Sequence, residues 1–66
     1  MMDLGKNMQK ARKAAGVTQI QLAERLGVYQ KDISRWEKNE STPNALTFAK
    51  ICKELNASAD ELLELK

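Results

Sequence analysis

Few side chains in this 66-residue sequence can do covalent or metal chemistry. There is no histidine and a single cysteine, Cys52. That removes the commonest general base and metal ligand, a zinc-type cysteine pair and any intrachain disulfide. No glycine-rich loop able to cradle a phosphate is present, so an enzyme is not expected. Met1, Met2 and Met8 have no spacing that suggests a metal or cofactor box. What remains is a cluster of hydrogen-bonding and cationic side chains, Gln30, Lys31, Ser34 and Arg35. Gln30 with Ser34, and Lys31 with Arg35, are each four apart, so on a helix all four share one face. An amide, an ammonium, a hydroxyl and a guanidinium on one face are directed donors that can reach base edges in a DNA groove. The alternative is ordinary solvated helix surface.

Such a face works only if the elements around it hold it still. Two short helices joined by a glycine turn are expected across TQIQLAERLGVYQKDISRWEKN, Thr18 to Asn39. Thr18 with Gln21 three residues later is a capping box that opens the first of them. Leu22, Ala23 and Leu26 make its buried face, and Ala23 is small enough to let a second helix approach closely. Gly27 accepts the positive φ that the turn needs. The second helix is expected from Tyr29 or Gln30 to Lys38. Val28, Ile33 and Trp36 face inward and lock it. Trp36 is read as core because it is in register with Ile33, three residues earlier. Asn39 is suited to a left-handed position past the last turn. Helices this short are not stable alone in water and need tertiary packing.

The flanking sequence supplies that packing. A first helix is expected from about Asp3 to Ala14, with Leu4, Met8, Ala11 and Ala15 as its apolar stripe and Gly16 as its stop. After the turn residues Glu40 to Pro43, Asn44 caps a fourth helix running to about Leu55. Its expected stripe is Ala45, Phe48, Ala49, Cys52 and Leu55, with Ile51 beside them. Cys52 is read there as a small buried hydrophobe. Asn56 caps its end. Ser58 and Glu61 form a second capping box for a short fifth helix, Ala59 to about Leu65. The expected fold is all-α, a compact five-helix bundle filling a single domain over residues 1–66.

Charge is unevenly spread. Residues 1–38 carry eight basic and four acidic side chains, residues 39–66 three basic and five acidic. A basic half suits a polyanion and an acidic end suits solvent. No apolar run is long enough to span a membrane and no signal peptide is visible, so a cytoplasmic location is expected.

The pattern Thr-Gln-x-x-Leu-Ala-x-x-Leu-Gly-Val, followed by Ile-Ser-Arg-Trp-Glu, closely resembles the Cro/CI-type (XRE-like) helix-turn-helix family of phage and bacterial repressors. About ten positions stand in register across Thr18 to Glu37. The opening helix, Thr42-Pro43-Asn44 and the stretch Leu55 to Leu63 also resemble the five-helix lambda-repressor-like domain. The resemblance implies a helix-turn-helix motif over about 18–38, with the recognition helix, about 29–38, in the major groove of double-stranded DNA. It implies that Gln19 binds a phosphate and braces the reading helix. It assigns base reading to Gln30, suited to adenine, and to Lys31 and Arg35, suited to guanine. Ser34 touches a base or a phosphate. Lys38, Asn39 and Ser41 match a loop that grips backbone phosphates, with Lys10 and Lys13 as further contacts. Arg12 and Glu37 match a partly buried ion pair tying the first helix to the third; the plainer alternative is a surface pair of little worth.

Two positions depart from the pattern. Tyr29 stands where serine or threonine usually caps the reading helix, and a tyrosine cannot cap that way. It can instead stack on the sugar-phosphate backbone or contact a thymine methyl. Asp32 at the edge of the reading face repels phosphate, can accept from cytosine N4, and gains from the helix dipole; the last, structural role is favoured. Leu46 and Leu65 fall outside the stripes of their helices. They are incidental surface leucines or, with Leu62 and Leu63, part of an isologous homodimer face reading two half-sites of a pseudo-palindromic operator.

The function expected is sequence-specific DNA binding by a transcriptional regulator, a repressor of phage, restriction-modification-controller or antitoxin-like type. The competing class is a protein-interaction module on the same fold that has lost DNA reading. No cofactor or small-molecule ligand is evident. With no second domain expected, switching would come from concentration, dimerisation or a partner.

Overall fold

The computed structural model describes residues 2–65; Met1 of the methionine set, and Lys66, lie outside them. Among the described residues there are five helices: α1 (Leu4–Ala14), α2 (Gln19–Leu26), α3 (Gln30–Glu37), α4 (Ala45–Leu55) and α5 (Ala59–Leu62). No strand occurs among these residues. Helix α3 packs on both α1 and α2, while α4 packs on α2 and α5 on α1. The core lies between them. Met8, Leu22, Ile33 and Ile51 are its most enclosed side chains, joined by Val17, Ala23, Leu26 and Leu55. Trp36 and Val28 are half-buried against it, so the tryptophan is a packing residue.

Local chemistry explains the helix ends. Asp3 accepts from the Lys6 amide at 3.0 Å and starts α1. Thr18 and Gln21 form both halves of the expected capping box, at 3.0 and 2.9 Å. Asn44 accepts from the Thr47 amide at 2.8 Å. Gly27 takes φ 71° after α2, so the chain reverses there at little conformational cost. Asn39 and Asn56 are also left-handed, as their short polar side chains allow.

Several expectations are corrected. The buried face of α4 is Ile51 and Leu55. Ala45 and Ala49 are exposed, and Phe48 and Cys52 are only half-buried, so Cys52 is not an enclosed core residue. Ile51 and Leu55 turn to the core, whereas Ala45, Ala49 and the branched Leu46 stay outside. Ala15 lies past the end of α1 and is exposed, and Val17 takes its place in the core. Helix α5 stops at Leu62 rather than near Leu65, because Glu64 is left-handed at φ 54°. Ser58 caps it at 3.0 Å, as the first half of the expected box. Leu62 is 2% exposed and belongs to the core, which removes it from a dimer face.

Candidate nucleic-acid interface

Helix α3 is held from behind and bare in front. Ile33 is fully enclosed, whereas Gln30, Lys31 and Arg35 are exposed and Ser34 is half-buried. All four expected reading residues lie on the one short helix that packs against both α1 and α2. Eight residues make about two turns, so the helix borrows its rigidity from what it packs on.

A chain of polar contacts fixes it further. The Arg12 guanidinium on α1 donates to Glu37 through Nε at 2.6 Å and Nη2 at 3.2 Å. Its third arm, Nη1, donates to the Val17 carbonyl at 2.9 Å. The Arg12 and Glu37 side chains are 9% and 3% exposed, so this is an enclosed, forked ion pair rather than a surface one. Gln19, at the start of α2, donates from Nε2 to Glu37 Oε1 at 2.9 Å. Gln30 in turn donates to Gln19 Oε1 at 3.4 Å. The network therefore runs from α1 through the end of α3 to α2 and out to the first residue of the reading face. Gln19 braces α3 at both ends.

The loop after α3 is tied to α1. Lys38 ends the helix and its side chain is exposed; Ser41 is half-buried. Asn39, expected in the phosphate-gripping loop, also makes contacts within the protein. Its Oδ1 accepts from the Gly5 amide at 2.9 Å and its Nδ2 donates to Asp3 at 2.7 Å, so the carboxamide is already engaged within the protein. The Asn39 and Lys6 contacts hold the Asp3 carboxyl below its ordinary pKa. Burial pushes the Cys52 thiol up. Lys10 and Lys13 are exposed on α1.

Tyr29 occupies the N-cap of α3 in extended backbone but makes no side-chain cap bond. Asp32 supplies the reciprocal half of a capping box, its Oδ2 accepting from the Tyr29 amide at 3.1 Å, while the Asp32 amide that a cap side chain would take donates to the Tyr29 carbonyl at 3.0 Å. The structural role expected for Asp32 is thus a specific hydrogen bond, in addition to a favourable place in the helix dipole.

Sequence reasoning missed Gly5. A β-carbon there would lie 2.4 Å from the Glu37 carbonyl oxygen and 2.6 Å from that of Trp36. Glycine is what lets α1 sit against the end of α3. The signal was a glycine inside an otherwise helical stripe, three residues before Met8 and seven before Arg12. Asn7 was missed too; it donates to the Leu62 carbonyl at 2.9 Å and to Glu64 at 3.1 Å, joining α1 to the end of α5.

Two glycine- and alanine-spaced helices, a braced third helix and a bare polar face define a helix-turn-helix unit. The chain belongs to the helix-turn-helix domain family, whose match covers residues 5–66. It is 37% identical over 62 residues to the HTH-type transcriptional regulator ImmR of Bacillus subtilis, covering 94% of this chain and 49% of that protein. It is equally identical to the HTH-type transcriptional activator BcrR of Enterococcus faecalis, over 94% of this chain and 30% of that one. Repressor protein C2 of Salmonella phage P22 is 33% identical over 92% of this chain and 28% of its own length. The chain thus spans half or less of the curated relatives it matches. The crystal structure of the P22 c2 repressor in complex with synthetic operator 9T superposes with a TM-score of 0.89 at 30% identity, covering 100% of both chains. The all-α, five-helix lambda-repressor-like architecture expected from sequence is the one found. No helix among the described residues is long and apolar enough to cross a membrane.

Proposed function

We propose that this chain reads double-stranded DNA sequence-specifically with α3 in the major groove, as the DNA-binding unit of a cytoplasmic transcriptional regulator. The observation that carries this is the braced, bare face of α3. Gln30, Lys31 and Arg35 face outward with half-buried Ser34 among them, while Ile33, Glu37 and the Arg12–Gln19 network fix the helix behind them. Likeness to a repressor chain seen on its operator supports the same reading. Gln30 pairs with adenine, Lys31 and Arg35 with guanine, and Ser34 with a base or a phosphate. Lys38, Asn39 and Ser41 fix the backbone together with the second Nε2 hydrogen of Gln19, and Lys10 and Lys13 add long-range attraction. Bound at a promoter, the unit acts as a repressor by occupying the site.

The unit works as a homodimer in this reading. Its longest dimension is 30 Å, and half-sites on successive turns lie roughly 34 Å apart. Each copy carries one reading helix, so two half-sites of a pseudo-palindromic operator take two copies. Leu46 and Leu65 are each 68% exposed, with half-buried Leu63 beside Leu65 and exposed Ala45 and Ala49 beside Leu46 on α4. Sedimentation that shows a monomer at high micromolar concentration, both alone and on operator DNA, would remove the dimer.

The test of DNA reading is selection from a random duplex pool. Enrichment of a motif with two inverted half-sites is the expected outcome. Failure to enrich any motif overturns the reading and favours a protein-interaction module.

A further inference from the structure

Tyr29 is the most exposed large apolar side chain among the described residues, at 74%. It sits at the mouth of α3 and does not perform the task of its position, since its phenol makes no cap bond. Asp32 reaches back and accepts from the Tyr29 amide at 3.1 Å, and its own amide donates to the Tyr29 carbonyl at 3.0 Å, so the start of the helix is closed without the phenol. The side chain at position 29 is thereby released from capping. It is not idle: the Lys31 ammonium lies over the tyrosine ring, 5.6 Å from its centroid. A cation placed over an aromatic face is attracted to it. The contact reduces the freedom of a long side chain that would otherwise sweep a wide arc. The two groups protrude together next to Gln30, on the exposed end of the helix.

Taking the DNA reading proposed above as its basis, we infer that Tyr29 is a specificity-determining residue. Its ring packs on the C5-methyl of a thymine and holds Lys31 for the guanine edge beside it. Spacing supports the pairing. The 5.6 Å between ammonium and ring falls between one and two base steps of about 3.4 Å each. The thymine and the guanine therefore lie within two steps of each other. An aromatic ring suits the methyl, which is the apolar feature of the major groove, and an ammonium suits guanine N7 and O6. Asp32 contributes the half of the capping box that needs no acceptor on the side chain at position 29, its carboxylate taking the Tyr29 amide.

The test compares the full chain with Tyr29→Ser, Tyr29→Phe and Lys31→Ala. Each is carried through selection from a random duplex pool and then binding to the recovered operator. Tyr29→Ser restores a hydroxyl cap, so it is expected to stay folded, which a thermal melt checks. Lys31→Ala locates the guanine; a thymine preference within two steps of it should vanish in Tyr29→Ser and persist in Tyr29→Phe. Replacing that thymine by uracil, which lacks the methyl, should weaken wild-type binding about fourfold, the value of one buried methyl group. The same replacement should leave Tyr29→Ser unchanged. An unaltered motif in Tyr29→Ser, or a uniform loss on all sequences as a backbone contact would give, overturns the inference. So does Tyr29→Phe behaving like Tyr29→Ser. If wild type enriches no motif, it is the DNA reading itself that fails.

Discussion

Gly5→Ala sets two effects of opposite sign against each other. In a helix interior, alanine is better than glycine by roughly 1 kcal/mol, because glycine loses more backbone freedom on folding. On helix propensity alone, the variant would be stabilised. The packing says otherwise. The new β-carbon would stand 2.4 Å from the Glu37 oxygen and 2.6 Å from that of Trp36. These distances are roughly 1 Å short of ordinary contact. Both atoms are backbone, so no rotamer change relieves the clash; α1 must move off α3. Movement also strains the Gly5 amide bond to Asn39, now 2.9 Å, and the Arg12–Glu37 pair behind it. Overpacking typically costs about 1–3 kcal/mol, and the loss of a hydrogen bond adds roughly 1 kcal/mol. The net expectation is destabilisation by about 1–3 kcal/mol, or roughly 5–20 °C in melting temperature for a domain of this size. Thermal unfolding followed by circular dichroism measures it, with Lys10→Ala on the exposed face of α1 as a control. Because the helix that moves is the one that braces α3, operator affinity should fall along with stability. A melting temperature equal to or above wild type would refute the reasoning. It would mean that α1 and α3 are free to separate, and that the bracing of the reading helix is not fixed by this contact.

Glu37→Gln keeps the shape of the side chain but leaves the enclosed Arg12 without its counter-charge, at a cost of about 3–5 kcal/mol. Urea unfolding at neutral pH should show most of the protein's stability gone, and a change below about 1 kcal/mol would sink the claim that the pair is buried. Asp3 has a lowered pKa because Asn39 and the Lys6 amide favour its charged form. Its contribution to stability is thus present above its unfolded pKa, about 4, and is lost as pH falls through the lower folded value. Melting temperature should drop more steeply below pH 4 in wild type than in Asp3→Asn, and parallel curves would count against the Asn39–Asp3 tie. Arg35→Ala should cost about 1–3 kcal/mol of operator binding and relax the preference at one base position, as titration of single-base operator variants would reveal. Lys38→Ala should weaken binding to all sequences alike and lower the salt slope by about one; a sequence-dependent loss would show that Lys38 reads a base.

Much of the local structure was legible along the chain. Thr18–Gln21, Gly27, Asn44 and Asn56 mark helix ends because caps and left-handed turns are decided by neighbours within four residues. Ile33 and Trp36 announced their inward direction by spacing, and the family pattern located the helix-turn-helix. The face of α4 was harder. Ala45, Ala49 and Cys52 are apolar at helical spacing, as are Ile51 and Leu55, and periodicity cannot choose between two apolar faces on one helix. Only the position of α2 against α4 selects Ile51 and Leu55. Leu62 was ambiguous for the same reason until the core enclosed it.

The residues that brace α3 show where the division falls. By itself, the amino-acid sequence determined the all-α class, the approximate helices and their caps, the family, and which side chains could face a DNA groove. Each of these follows from short-range periodicity, backbone preference or a motif within one stretch of chain. The tertiary structure decided what depends on residues far apart meeting. Gly5 meets the Glu37 carbonyl, and the Asn39 carboxamide bonds Gly5 and Asp3 at the start of α1. Gln19 links Glu37 to Gln30, and the start of α3 closes through Asp32 without the Tyr29 phenol. The first three need whole helices to be packed before any distance between them exists. The last is local, yet it gains its meaning only because the packed helix leaves the tyrosine ring and Lys31 standing together in solvent.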